Sequence, residues 1–140
     1  RSTQAKTLFP YTTLFRSLAV LELHDGEATG TSGDYQRYFE VDGQRYPHLL
    51  DPRTGYPAPD VQSVTIVVDG ERAGVRSDVF TKPLFIGGPE ASVPMAQRLD
   101  LKSVMLVTAD GRVRVTPNLA DRLKFQPHDG KLPDIEKVSP

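Results

Sequence analysis

Three clusters of polar side chains could carry chemistry. His48 ends a predicted strand and is followed by "LLDPRTG". A lone histidine is more often structural, but Asp51, Arg53 and Thr54 come next, in a turn forced by Pro52 and Gly55. Such turns hold polar groups rigidly at a strand end, where sites sit. Asp-Pro and Thr-Gly are also ordinary turn formers, so the residues alone leave site and turn open. Asp78, Thr81 and Lys82 form the second cluster. On a helix, i, i+3 and i+4 share a face. A carboxylate and a hydroxyl there can supply oxygens to Mg²⁺, and Asp78 with Lys82 can equally be an exposed ion pair worth tenths of a kcal/mol. The third is the bend "TGTSGDY". Gly30 and Gly33 permit close backbone approach, and Thr31 and Ser32 offer hydroxyls and amides to a phosphate or a flavin edge. No P-loop and no GxGxxG accompanies it.

The elements that must position these groups read as α+β: antiparallel strands and hairpins with short helices packed on one side of the sheet. Leu21 and Leu23 alternate with Glu22 and His24, as in a half-buried strand. A turn at Asp25-Gly26 leads to a second short strand and the glycine-rich bend. "QRYFEVDGQRYPHLLD" predicts a hairpin about Asp42-Gly43. Residues 61–69 predict a buried strand. A helical pattern runs from Arg72 to Ile86, with Ser77 either capping it or lying inside it. Pro83 is expected to kink or end this helix, and Gly87-Gly88 to stop it. A second short helix follows, with Pro94 near its start. A hairpin about Asp110-Gly111 and one or two helical turns after Pro117 complete the domain. Residues 126–140 are polar and proline-rich, and are expected to be extended or loosely ordered.

Composition bounds the reading. The chain has 140 residues, 38% apolar, with 12 prolines and 11 glycines, which suits short strands and turns. A net charge of -1 points away from a nucleic-acid binder. The absence of cysteine excludes disulfides and thiolate metal sites. No apolar run is long enough for a membrane-spanning helix. The stretch "TLFPYTTLFRS", Thr7 to Ser17, equals the in-frame translation of a common sequencing adapter. Residues 1–17 are therefore read as an assembly artefact and set aside from fold reasoning. Without Arg1, Lys6 and Arg16 the balance is 14 basic against 18 acidic residues, a net charge of -4.

"TSGDYQRYFEVDGQRYPHLLDPRTGYP" resembles the signature of the FAD:protein FMN transferases, the ApbE family. That family carries "A-T-S-G-D-Y", a hairpin and "H-I-I-D-P-R-T-G-Y-P". The strand and helix "SVTIVVDGERAGVRSDVFTKPLFIGG" are similar to the family's strand and "A-D-A-L-S-T-A-L-F-V-L-G" helix. The likeness covers residues 18–125, the C-terminal part of a member's length, so a truncated ApbE-like fold is expected.

The resemblance implies a transferase moving FMN from FAD to a Thr or Ser hydroxyl of a target flavoprotein, with release of AMP. FAD would be the substrate and Mg²⁺ the metal. His48 falls on the family's important histidine. Thr31, Ser32 and Gly33 would line the flavin site, with Asp51, Arg53 and Thr54 shaping the pocket or holding the turn. Asp78 falls on the metal-binding aspartate. The family's second metal hydroxyl lies four residues later, where this chain has Lys82; Thr81 is the nearest hydroxyl. The implied partner is a flavoprotein subunit of a redox complex, with no nucleic acid. The implied location is the bacterial periplasm or inner membrane, reached only through an N-terminal lipid anchor outside this chain. The alternatives are an inactive family member that binds a flavin or a protein, and a structural subdomain with no ligand of its own.

Overall fold

A computed structural model describes residues 6–11, 16–35 and 37–140. Its centre is a five-stranded sheet in the order β10-β8-β7-β6-β3. The strands are β3 (Glu27–Gly33), β6 (Val61–Asp69), β7 (Ser103–Thr108), β8 (Val113–Val115) and β10 (Ile135–Lys137). Strands β6 and β7 are buried over most of their length, the pattern of strands covered on both faces. Alternation then sends neighbours to opposite sides. Val64, Ile66, Val68, Val104 and Leu106 join one core, with Leu84 and Phe85 of helix α1 (Ala73–Arg98). Val67, Met105, Val107, Val113 and Val115 join a second. Leu18, Ala19 and Leu21 of β2 (Arg16–Glu22) cover that face, helped by Leu119 of α2 (Pro117–Ala120).

The architecture is the α+β one expected, with differences of detail. Ser77 lies inside α1, its hydroxyl donating to the Gly74 carbonyl at 2.8 Å. Pro83 does not end the helix; the carbonyl it leaves unbonded belongs to Val79, on the exposed side. The break falls at Gly88, whose φ of 77° and ψ of 178° are not helical. The C-terminal tail is not merely loose. Its residues 135–137 pair parallel to β8 as the edge strand β10, the one parallel pairing in an otherwise antiparallel sheet among the described residues.

Within the stretch set aside on sequence grounds, residues 1–5 and 12–15 lie outside the described residues. Lys6–Tyr11 forms a strand, β1, antiparallel to β2, and β2 in turn pairs with β9 (Lys124–Phe125). A run rich in Thr, Phe and Tyr has the propensity for that pairing. The remaining two strands, β4 (Tyr38–Val41) and β5 (Gln44–Pro47), make a separate hairpin outside both sheets.

Candidate functional site

Strand β3 supplies the floor of a cleft. It pairs antiparallel with β6, placing Thr31 opposite Thr65, Ser32 opposite Val64 and Gly33 opposite Ser63. Helix α1 crosses it closely at Gly30, where any Cβ would run into the Ser77 carbonyl. That approach requires glycine. It brings two hydroxyls together: Ser32 Oγ and Thr81 Oγ1 are 2.7 Å apart, and Thr81 Oγ1 donates to the Asp78 carbonyl at 2.7 Å. Thr81 has one proton and spends it on that carbonyl, so Ser32 is the donor to Thr81. Thr31 Oγ1 meets Thr65 Oγ1 at 2.9 Å.

The hairpin forms the opposite wall. Asp42 and Gly43 both have positive φ, 51° and 77°, and make the tight turn. Pairing runs outward from there, Val41 to Gln44 up to Tyr38 to Pro47. One step further sets Arg37 against His48. The Arg37 carbonyl accepts both the His48 backbone N–H and the ring Nδ1, each at 3.0 Å. A carbonyl only accepts, so Nδ1 carries a proton, and in the neutral ring the lone pair is on Nε2. Nε2 has no partner among the described residues.

These walls enclose a hollow of about 180 Å³. Thr31, Ser32 and Gly33 line it from β3, Tyr35, Arg37 and His48 from the hairpin side, and Asp78 and Lys82 from α1. Six of these eight are among the residues that the sequence singles out. Tyr35 and Arg37 have no role in that reading. The signal for Arg37 was available, since counting outward from Asp42-Gly43 sets position 37 opposite 48. Two larger hollows, of about 470 and 420 Å³, lie elsewhere and gather none of these groups.

Other expected residues sit apart. Asp51, Arg53 and Thr54 do not line the cleft. The Arg53 guanidinium grips the Asp51 carboxylate through Nε and Nη2 at 2.9 and 2.7 Å. This holds Asp51 below the usual carboxylate range. The Asp51 carbonyl accepts from the Thr54 and Gly55 amides, and Thr54 Oγ1 accepts from the Tyr56 amide at 3.2 Å. Their hydrogen bonds close a turn, and Asp51 and Arg53 satisfy each other.

Asp34 and Tyr35 follow the floor. Asp34 Oδ1 is buried and accepts no hydrogen bond among the described residues. Arg45 Nη1 stands 3.9 Å from it. Burial pushes the Asp34 carboxyl up, outweighing Arg45. Burial also pushes the Tyr35 phenol up, with the Asp34 charge adding to it.

The α1 side carries the residues expected to hold a metal. Ser77, Thr81, Leu84, Phe85 and Gly88 form the buried stripe of α1. Asp78 and Lys82 lie one residue, or 100°, around from it, on the cleft rim. Thr81, fully buried, therefore spends its hydroxyl on the helix–strand contact and does not face the Asp78 carboxylate. Lys82 Nζ sits on Asp78 Oδ1 at 2.5 Å and donates to the Asp78 carbonyl at 2.7 Å. Mg²⁺ wants several oxygens converging on one point. Here one carboxylate is already taken by an ammonium, and among the described residues no three acidic or imidazole groups gather. This donor set does not fit a divalent cation.

A family model described as the ApbE family matches residues 5–106. A protein of Rhodobacter capsulatus named FAD:protein FMN transferase is 36% identical over 107 residues, covering 76% of this chain and 20% of that protein. One of the same name from Klebsiella pneumoniae (strain 342) is 36% identical over 107 residues, covering 75% and 32%. The crystal structure of the ApbE protein of Thermotoga maritima superposes with a TM-score of 0.73 at 29% identity, covering 86% of this chain and 38% of that one. The chain thus spans a fifth to a third of the length of these two curated relatives.

Proposed function

This chain belongs to the ApbE family, and from that premise we propose that its cleft is part of an FAD:protein FMN transferase site. The observation that carries the proposal is His48, whose Nδ1 is locked by the Arg37 carbonyl and whose Nε2 is left as the basic nitrogen beside β3. A base of this kind suits an acceptor hydroxyl. The Thr or Ser oxygen of an acceptor flavoprotein attacks the phosphorus on the riboflavin side of the FAD pyrophosphate. The new P–O bond forms as the bond from that phosphorus to the bridging oxygen breaks. AMP departs with the bridging oxygen, and the hydroxyl proton passes to His48 Nε2. Lys82 and Arg37 offset the charge that grows on the phosphates. No step here is routed through a metal.

The site is proposed to act in the periplasm, on a flavoprotein subunit of a redox complex. A second reading, flavin or protein binding without transfer, draws on Lys82 occupying Asp78. One assay separates them. The chain is given FAD and an apo acceptor flavoprotein, and AMP release and protein-bound flavin fluorescence are followed. Transfer is expected, slowed about 100-fold or more in His48→Gln. FAD binding without AMP release supports the second reading, and neither binding nor release overturns both.

A further inference from the structure

We infer that the cleft takes a phosphate-bearing ligand on fixed side-chain cations, with Lys82 standing where a divalent ion would otherwise bridge protein and phosphate. The inference rests on the transferase reading only for the identity of the ligand.

The argument begins with donors. An ammonium has three N–H bonds. Lys82 spends one on Asp78 Oδ1 and one on the Asp78 carbonyl. The third remains for the cleft, which Lys82 lines. Asp78 is thus an anchor that fixes the ammonium on the rim, and its side chain is 75% exposed against 36% for Lys82. Arg37 adds a second cation on the facing wall, with its guanidinium forks free of any partner among the described residues. Arg37, Lys82 and Asp78 face the hollow, a balance of one positive charge before His48 is counted. Asp34 lies next to the floor without lining it. A dication at the Asp78 carboxylate would stand beside the Lys82 ammonium and be repelled by it. A phosphate meets two cations and the hydroxyl-bearing strand.

Fixed cations differ from a bound metal in a measurable way. They are present in chelator, and each contributes a charge-assisted hydrogen bond whose loss costs about tenfold in affinity. The test uses the 140-residue chain with inorganic pyrophosphate as the probe. Titration calorimetry in EDTA is expected to show saturable pyrophosphate binding. Lys82→Met is expected to weaken it about tenfold with an unchanged circular-dichroism spectrum. Asp78→Asn, which removes a like charge, is expected to bind at least as tightly. Separately, the paramagnetic resonance signal of free Mn²⁺ is expected to be unaffected by the wild-type chain.

Absence of pyrophosphate binding in EDTA overturns the inference. So does an unchanged affinity in Lys82→Met, or stoichiometric Mn²⁺ capture that Asp78→Asn abolishes. The two readings fail separately. Pyrophosphate binding without FAD transfer removes the transferase and leaves the fixed cations, whereas transfer with tight Mn²⁺ capture does the reverse.

Discussion

The two walls of the cleft are built on opposite terms. On the helix–strand wall, two hydroxyls are interior: Ser32 and Thr81 are 7% and 0% exposed and bond to each other, while Asp78 stays on the exposed rim. On the hairpin wall the polar side chains are exterior. His48 and Arg37 are exposed, and Phe39, Tyr38 and Val41 beside them are half open to solvent. The hairpin is held by its own ladder, the Phe39–Tyr46 stack at 5.1 Å and Arg45 lying over Tyr38. One wall is therefore part of the core and tolerates little. The other is a self-contained unit whose chemistry can vary without cost to the fold.

Substitutions can break this contrast or sharpen it. The largest effect on stability is expected at Gly30. A valine there would force α1 off β3 against backbone that cannot yield, at a cost of about 3 kcal/mol, and would separate Ser32 from Thr81. Denaturant unfolding measures it, and a wild-type midpoint for Gly30→Val would show the helix–strand contact to be loose. Thr81→Val keeps the shape and leaves the buried Ser32 hydroxyl without its partner, at about 1–2 kcal/mol.

Asp34→Asn should act in the opposite direction. Its carboxyl is pushed up by burial in the folded chain. The charged form is thus disfavoured by folding, and the stability of the wild type falls as pH rises through the shifted pKa. The variant should be more stable than wild type at pH 7, with the gain vanishing as pH drops below the ordinary carboxylate range. Melting temperatures across pH 3 to 8 on the scale of ordinary Asp titration check the sign; a constant difference would mean that desolvation is not the cause. The smallest effect is expected at Asp51. Its carboxylate partners only the adjacent Arg53, so Asp51→Asn should leave the melting temperature unchanged at neutral pH.

Much of this was legible in the sequence. The run of residues 61–69 reads as a buried strand because of its β-branched residues, and residues 103–116 read as a hairpin about Asp110-Gly111. Asp42-Gly43 gave the hairpin and, through its register, the meeting of positions 37 and 48. The "TSGDY" and "HLLDPRTG" runs led to the cleft through resemblance, since their composition left site and turn open. What composition could not say was which of two adjacent helix residues faces inward. Thr81 and Lys82 differ by 100° about α1, and the packing of Leu84 and Phe85 against the sheet sets that angle. The parallel pairing of residues 135–137 was equally hidden, because a three-residue strand with alternating charge looks like any polar tail. Pro83 misled for a related reason: a proline is tolerated mid-helix where the orphaned carbonyl reaches water.

The Arg37 carbonyl holds His48 twice, through its amide and its ring. Opening the hairpin releases both bonds together, so the orientation of the imidazole is tied to a local unfolding equilibrium rather than to global stability. Short two-stranded units open at low free energy. The His48 amide should therefore exchange with deuterium far sooner than those of Ile66 or Leu106 in the central strands. Its protection factor is then a direct gauge of the fraction of time the imidazole stands ready.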